Sequence, residues 1–230
     1  GLVALLRELV KVKDSRWIRP FCLYPRQVSD ELLDLYAGEE KITKYIDMPL
    51  QHINDRMLKR MHRLGDRAAI DSLVDRIRTR IPGVTFRTAF IVGFPGETAQ
   101  EFEELKGYVE EAEFDRVAVF LYSDEEDTPA VRFDDKVERS VMDERRNELL
   151  AVQEGIAAAR GQARIGSVME VLVEGASEET ELLLEGRHEG LAPEIDGVVY
   201  INDGSATAGE LVKVEITDAA LYDLVGRIVT

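Results

Sequence analysis

The stretch Val84-Thr-Phe-Arg-Thr-Ala-Phe-Ile-Val-Gly-Phe-Pro-Gly-Glu-Thr98 decides how the first part of the chain folds. Its apolar run from Val84 to Phe94 predicts a buried strand. The string Thr98-Ala-Gln-Glu101 has the spacing of a capping box, which predicts the start of a helix. A strand, a glycine-containing turn and a capped helix together form a βα unit, the building block of a parallel sheet.

The same alternation of strand and helix extends to both sides of this unit. Ser29 and Asn54 are predicted helix caps, and a longer helix is predicted over 66–80. Three further apolar runs predict strands, at 17–24, 45–50 and 116–122. Four strands alternating with helices predict a parallel sheet with right-handed crossovers, whose carboxyl strand ends share one edge. Ligands of such folds bind at that edge.

The pattern changes after Ser140. The string Ser140-Val-Met-Asp143 predicts the start of a long helix that Gly161 or Gly166 can end. Short apolar runs separated by Gly, Asp and Asn then predict a small antiparallel barrel, OB-like in size. These runs are 168–174, 182–186, 197–201, 211–216 and 223–229. We predict two domains, 1–162 and 163–230.

Composition and charge restrict the classes of partner. The 230 residues include 29 Lys and Arg against 45 Asp and Glu, a net charge of −16. Within 163–230, 4 basic and 14 acidic residues leave a net charge of −10. Such a barrel repels phosphate, so nucleic-acid binding is disfavoured and a basic protein partner is favoured. A merely solubilising surface is the open alternative.

Two absences in the sequence set further limits. Cys22 is the single cysteine, so neither a disulfide nor a cysteine-based metal site or iron–sulfur cluster can form within this chain. No apolar run approaches the roughly 20 residues that span a bilayer. The stripe formed by Leu2, Leu5, Leu6 and Leu9 predicts that the chain begins inside a helix, so we expect a piece of a longer protein.

Candidate site residues follow the predicted strands. Gln51 and His52 end the second strand, and His52 is either a ligand-site residue or a structural histidine. Arg87 lies in an apolar strand and needs a partner, either a ligand carboxylate or Asp47. Cys22 is predicted to be an inert core thiol. The acidic run 124–127 lacks the spacing of an EF-hand, so no metal is expected there.

Two strand ends are suited to a flat ring. The apolar end formed by Ile91 and Val92 can flank such a ring, and the glycines after it let a ligand approach the backbone. The backbone of the strand end Phe120-Leu-Tyr-Ser-Asp-Glu-Glu-Asp-Thr-Pro129 could hydrogen-bond the edge of a base. A tight βα turn without a ligand is the alternative for the segment 91–98.

Taken in order, these segments resemble the radical S-adenosylmethionine methylthiotransferases. The resemblance covers nearly the whole chain and includes a tail similar to the TRAM domain, ending in Tyr222-Asp-Leu-Val-Gly226. The strings that carry it are Tyr45-Ile-Asp-Met-Pro-Leu-Gln-His52, Met61 with Arg63, Arg87-Thr-Ala-Phe-Ile-Val-Gly-Phe-Pro-Gly-Glu-Thr98, Val119-Phe-Leu-Tyr-Ser123 and Thr128-Pro-Ala130.

This resemblance implies an incomplete TIM-like (βα) barrel of the radical S-adenosylmethionine type, followed by an OB-like TRAM barrel. The four predicted strands would be the third to sixth of a six-stranded partial barrel. The family uses S-adenosylmethionine and two 4Fe–4S clusters, whose cysteines are not in this chain. One cluster reductively cleaves S-adenosylmethionine to a 5′-deoxyadenosyl radical, so the chain alone is expected to be inactive.

Two classes of the family compete. One modifies an adenosine beside a tRNA anticodon, and the other modifies the β-carbon of an aspartate in small-subunit ribosomal protein number twelve. The strings Ala192-Pro-Glu-Ile-Asp-Gly-Val-Val-Tyr200 and Pro49-Leu-Gln-His52 are similar to the ribosomal-protein class, and the negative barrel agrees. That class implies a cytoplasmic bacterial enzyme with a reductant protein as a further partner. A non-enzymatic module binding a basic protein is the third alternative.

The resemblance also implies roles for single residues. Ile91 and Val92 would flank the adenine, and Phe120, Leu121 and Tyr122 would meet its edge through backbone groups. Two more would address the ribose and the methionine carboxylate, Gln51 and Arg87. His52 would face either the substrate aspartate or the second cluster. No acid or base catalyst is predicted, because hydrogen abstraction by a radical needs a dry site more than a proton carrier.

Overall fold

A computed structural model describes residues 1–63, 65–177, 180 and 182–230. The chain forms two compact units, Gly1–Gln153 and Glu154–Thr230. The division falls within the long helix α6 (Arg139–Gln162). No helix of the described residues is long and apolar enough to cross a membrane.

The first unit contains a parallel sheet. Its strands β1 (Tyr45–Asp47), β2 (Thr85–Val92) and β3 (Arg116–Leu121) lie in the order β1-β2-β3. These correspond to three of the four predicted strands, with shorter bounds. Their carboxyl ends therefore share one edge of the sheet, as predicted.

The prediction of a strand at 17–24, the first along the chain, is wrong. Only Ile18 pairs there, in an isolated parallel bridge with Ile42. Pro20 cannot donate a backbone hydrogen bond, and Cys22 has a positive φ of 54°, which interrupts an extended chain. The segment instead makes single contacts, such as the bond from the Leu23 amide to the Asp47 carbonyl at 2.8 Å.

The helix caps read from the sequence are confirmed in this unit. Ser29 accepts from the Leu32 amide at 3.2 Å, and Asn54 accepts from the amides of its helix. Thr98 and Glu101 form the complete capping box. The helices of the unit are α1 (Leu2–Leu9), α2 (Asp30–Gly38), α3 (Asp55–Arg60), α4 (Arg67–Arg80) and α5 (Ala99–Ala112). Short 3-10 turns cover Pro25–Gln27 and Pro129–Arg132.

Helix α6 begins earlier than predicted, because Arg139 is already helical and Ser140 is not its cap. The Glu138 carbonyl instead accepts the hydrogen bond from the Met142 amide at 3.1 Å. The helix ends at Gln162, between the two predicted stops, Gly161 and Gly166.

The core of the first unit lies on the face of β2 that carries Phe86 and Phe90, both fully buried. Phe114 packs between them, with ring centroids 5.0 Å and 6.3 Å away. The opposite face of β2 carries Arg87, Ala89 and Ile91, because successive strand residues alternate in direction. Of these, Arg87 and Ile91 are half-buried rather than part of the core.

The second unit is a closed five-stranded barrel, as predicted, in the order β4-β5-β6-β8-β7. Its strands are β4 (Val168–Ala176), β5 (Leu184–Arg187), β6 (Val199–Asp203), β7 (Leu211–Ala219) and β8 (Leu224–Ile228). Neighbouring strands are antiparallel except β6 and β8, which pair in parallel to close the barrel. The interior is apolar, and its fully buried residues include Val171, Val214 and Ile216. The predicted α/β fold followed by an OB-like barrel is confirmed.

Glu101 gives the first unit a defined sensitivity to acid. Burial raises the pKa of its carboxyl, but hydrogen bonds from Arg56 and Thr98 outweigh that effect and lower the pKa to about 2, against an ordinary value of 4.5. The ionised form therefore stabilises the fold above pH 4.5, and this contribution is lost as the pH falls through about 2.

We expect Glu101→Gln to be less stable than the parent at neutral pH and to lose less stability between pH 5 and pH 2. Urea unfolding at a series of pH values, followed by the fluorescence of the single tryptophan Trp17, measures both effects. Parallel profiles of unfolding free energy against pH would contradict the expectation. Glu103→Gln, at an exposed carboxylate, is the control.

Candidate functional site

A cavity of about 560 Å³ opens where β2 and β3 end. Its walls come from the end of α3, the end of β2, the end of β3 and the segment that follows β3. The lining residues are Arg60, Met61, His62, Ile91, Phe94, Phe120, Leu121, Tyr122, Ser123, Glu125, Thr128, Pro129 and Ala130. Most of the lining is apolar, and the volume is that of a small-molecule site.

Ile91 and Phe120 bring an apolar surface to this cavity. They are register partners in the parallel pair of β2 and β3. Phe120 is 55% exposed although it is a large aromatic residue in a strand. An exposed ring beside a half-buried aliphatic side chain is suited to contact a flat apolar ligand.

The neighbouring residues differ in their placement. Val92 follows Ile91 but faces the other side of β2, and its side chain is fully buried and outside the cavity lining. Leu121 and Tyr122 both line the cavity. The Tyr122 hydroxyl donates to Asp124 at 2.8 Å. Burial and this hydrogen bond raise the pKa of Tyr122, and the nearby Lys136 opposes that rise.

The turn after β2 is shaped by two glycines. Gly93 has a φ of 76°, and a Cβ added there would overlap the Met142 side chain of α6. Gly96 has a φ of 79°, and a Cβ there would overlap the Asp135 carboxylate. Both residues therefore combine a left-handed backbone with a close neighbour, which only glycine allows.

The buried carboxylate of Glu97 holds this turn in place through contacts with three partners. One oxygen accepts from the Gly93 amide at 2.5 Å and from Arg145 Nη1 at 2.6 Å. The other oxygen contacts His52 Nε2 at 3.2 Å. The side chains of Glu97 and His52 are 0% exposed and that of Arg145 is 9% exposed. The arrangement joins the end of β1, the turn after β2 and helix α6.

The hydrogen-bond partners of the His52 ring indicate its tautomer. Its Nδ1 accepts from the backbone amides of Ile53 and Asn54, at 2.9 Å and 3.0 Å. Because Nδ1 accepts, the ring proton lies on Nε2 and is donated to Glu97. His52 thus has partners at both ring nitrogens and no exposed surface, which is the structural alternative considered for it. Its contact with substrate stays an untested prediction.

Arg87 and Gln51 are placed differently from each other. Arg87 donates from Nη1 to the Asp47 carboxylate at 2.6 Å, the internal partner anticipated as the alternative to a ligand carboxylate. Arg87 is absent from the cavity lining. Gln51 lies beside the cavity residue Ile91, since its carbonyl accepts from the Ile91 amide at 2.9 Å. Gln51 has a positive φ of 72° and pairs with Phe90 only in an isolated parallel bridge beyond the end of β1.

The remaining sequence predictions have mixed outcomes. Cys22 is exposed, so the prediction of an inert core thiol is wrong. Among the residues that the structure describes, no group of three His, Cys, Asp or Glu side chains could hold a metal ion. Sequence reasoning did not assign Arg60, His62 or Phe94 to the site. The string containing Met61 and Arg63 was the available signal for the wall from α3.

Comparison with known proteins agrees with this architecture. A family model of the radical SAM superfamily matches residues 1–109, and one of the TRAM domain matches residues 165–229. The ribosomal protein uS12 methylthiotransferase RimO of Anaeromyxobacter sp. (strain K) is 56% identical over 98% of this chain and 48% of that protein. RimO of Syntrophotalea carbinolica is 54% identical over 100% of this chain and 50% of that protein.

Among solved structures, coproporphyrinogen III oxidase (HemN) from Escherichia coli, a radical SAM enzyme, is 23% identical with a TM-score of 0.49. That alignment covers 70% of this chain and 36% of HemN. The chain spans about half the length of the curated relatives that it matches. The family matches in the same order along the chain confirm the resemblance read from the sequence. The chain carries radical SAM superfamily sequence followed by a TRAM domain, and it is similar along its whole length to uS12 methylthiotransferases.

Proposed function

We propose that this chain is part of an enzyme that inserts a methylthio group at the β-carbon of an aspartate in ribosomal protein uS12, in the bacterial cytoplasm. The observation that carries the proposal is the similarity to uS12 methylthiotransferases along the whole chain, at 56% and 54% identity. The cavity at the strand ends supports it independently. Its position corresponds to the ligand edge of a parallel α/β fold.

The cavity fits the adenosine part of S-adenosylmethionine. Ile91 and the exposed ring of Phe120 offer apolar contact to a base. The Tyr122 amide donates to the Val92 carbonyl at 3.0 Å, so in this proposal the backbone of Leu121 at the same rim meets the polar edge of the base. When bound and reduced, S-adenosylmethionine supplies the radical chemistry of this family. In this proposal the residues of the chain bind the nucleoside, orient it and exclude water.

The predicted ligand contacts of Arg87 and Val92 are affected by where these side chains lie. Arg87 is engaged by Asp47, so binding a methionine carboxylate would require it to serve both groups. Val92 supports β2 from its buried face instead of touching the base. We therefore assign the base contact on β2 to Ile91, with Gln51 beside it.

The described residues do not fit an iron–sulfur cluster. Cys22 is the single cysteine of the sequence, and no metal-ligand group of three His, Cys, Asp or Glu exists in the described ranges. We propose that the ligands of both clusters belong to the part of the intact protein that this chain does not include. The chain by itself is then expected to bind S-adenosylmethionine without performing methylthiolation.

The negatively charged barrel supports a basic protein as substrate. Among its basic residues, Arg187 pairs with Glu174 at 2.6 Å and Arg227 with Glu215 at 2.8 Å. The excess carboxylates include Glu170, Glu194 and Asp203, which are exposed. Such a surface attracts a cationic polypeptide and repels the phosphates of tRNA.

The test uses the full-length protein that contains this chain, with both clusters reconstituted. Incubation with isolated uS12 and with tRNA, followed by mass spectrometry, should show SCH₃ replacing one hydrogen on an aspartate. Modification of adenosine would instead assign the tRNA class. Tight binding of uS12 without any modification would favour a non-enzymatic module.

The barrel surface has its own test in the same assay. Because steering by charge changes association, we expect the combined change Glu170→Gln, Glu194→Gln and Asp203→Asn to raise the KM for uS12 about tenfold at low salt. The kcat should change little. The matched control neutralises three exposed acids of the first unit, with Asp14→Asn, Glu40→Gln and Glu110→Gln. Equal effects of both sets would contradict docking on the barrel.

A further inference from the structure

The segment that follows β3, residues 123–135, forms one wall of the cavity, and we call it the strap. Its members Ser123, Glu125 and Thr128 line the cavity together with Pro129 and Ala130, which begin the 3-10 turn. The strap has little regular structure of its own. Its position against the cavity therefore depends on the side chains that fasten it.

Arg60, at the end of α3, fastens the far end of the strap. Its Nη2 donates to both carboxylate oxygens of Asp135, at 2.9 Å and 3.0 Å. Its guanidinium also lies over the Phe133 ring, 4.5 Å from the centroid. Arg60 Nε is buried without a hydrogen-bond partner among the described residues, a cost that its contacts with the strap must offset. Arg60 itself lines the cavity.

The turn after β2 also contacts the end of the strap that carries Asp135. The Gly96 amide donates to the Asp135 carbonyl at 2.6 Å. The Asp135 carboxylate fills the space that a Cβ at Gly96 would need. Phe133 meets Phe94 edge to face at 6.3 Å, and Phe94 meets Tyr122 at 5.1 Å. The position of Asp135 therefore affects Phe133, Phe94 and Tyr122, whose rings pack against one another beside the cavity.

We propose that Arg60 and Asp135 form a clasp that positions this wall for a bound nucleoside. Both are positioning residues, because they act through Phe133, Phe94 and Tyr122 rather than on the reacting atoms. The proposal rests on the proposed function only for the identity of the ligand. The clasp itself follows from contacts that join α3, the turn after β2 and the strap, with Arg60 and Asp135 separated by 75 positions in sequence.

The test compares Asp135→Asn, Arg60→Lys and the double variant in this 230-residue chain. Hydrogen–deuterium exchange of residues 123–135 should become about fivefold to tenfold faster in each variant, the scale of one exposed ion pair with a cation–π contact. Calorimetric binding of adenosine should weaken by a similar factor. The loss in the double variant should be smaller than the sum of the two single losses, because both changes weaken the same ion pair.

The salt dependence of binding separates this role from a general loss of folding. Adenosine is uncharged, whereas the clasp is an ion pair whose side chains are 28% and 52% exposed. Raising salt from about 0.05 M to about 0.5 M should therefore weaken adenosine binding to the parent and leave binding to Asp135→Asn unchanged. Arg139→Gln, which breaks an exposed pair on α6, should behave as the parent.

The outcomes distinguish the clasp from the proposed function. Unchanged exchange in the strap of all three variants would overturn the clasp, even if adenosine binds. If the parent binds no adenosine, the nucleoside site of the proposed function fails, and the exchange rates alone decide the clasp. Faster exchange in the strap with unchanged thermal unfolding supports it, and faster exchange throughout the first unit overturns it.

Discussion

Replacing Glu97 by glutamine is expected to lower the free energy of unfolding of the first unit by about 3–5 kcal/mol. Glu97 is the single carboxylate that receives Arg145, His52 and the Gly93 amide. The amide removes the negative charge and leaves the Arg145 guanidinium buried without a counter-ion. The glutamine also places an NH₂ donor where a carboxylate oxygen accepted hydrogen bonds, so that donors face one another.

The size of this effect comes from burial, since a surface pair of the same chemistry is worth much less. Glu103 and Lys106 are 2.8 Å apart, and the Glu103 side chain is 60% exposed. Glu103→Gln should therefore cost less than about 1 kcal/mol. Urea unfolding with Trp17 fluorescence measures both variants. A similar small loss in both would show that the protein relaxes around the unpaired arginine.

Gly93→Ala is expected to destabilise the first unit by about 2–4 kcal/mol, through two separable causes. The first is the left-handed backbone at a φ of 76°, which costs an alanine about 1 kcal/mol. The second is the overlap of the new Cβ with Met142, which is 8% exposed on α6 and has little room to move. Together they place this glycine among the least replaceable residues of the site.

Gly83 provides a matched control for the second cause. It has the same φ of 76° as Gly93, but no atom lies within 4 Å of an added Cβ. Gly83→Ala should therefore carry only the backbone cost. The difference between the two variants measures the packing against Met142, and combining Gly93→Ala with Met142→Ala should recover part of it. Equal losses at both glycines would contradict the packing argument.

The elements of this protein follow from local information in the sequence. The capping residues Ser29, Asn54 and Thr98 act within three positions along the chain, so their helices are predictable. The five barrel strands are predictable because alternating apolar residues and glycine turns specify each of them separately. The wrong strand prediction at 17–24 also concerns local features. It rested on the apolar content of the segment and did not take account of the missing backbone donor at Pro20 or the positive φ at Cys22.

The site required information of another kind. Arg87 with Asp47, His52 with Glu97 and Arg145 with Glu97 are pairs separated by 40, 45 and 48 positions. Nothing in a single sequence states that Arg87 chooses Asp47 over a ligand, or that Val92 faces the core while Ile91 faces the cavity. The exposure of Phe120 and the cavity beside it likewise arise only when separate strand ends meet.

By itself, the sequence determined the helices, most of the strands, the charge of the barrel and the family resemblance. These properties depend on neighbouring residues and on composition, which the chain carries before it folds. The tertiary structure alone decided which buried charges pair, which strand ends form the cavity and how residues 123–135 are fastened. Those outcomes depend on contacts between distant segments, and such contacts exist only once the parallel sheet brings the strand ends to one edge.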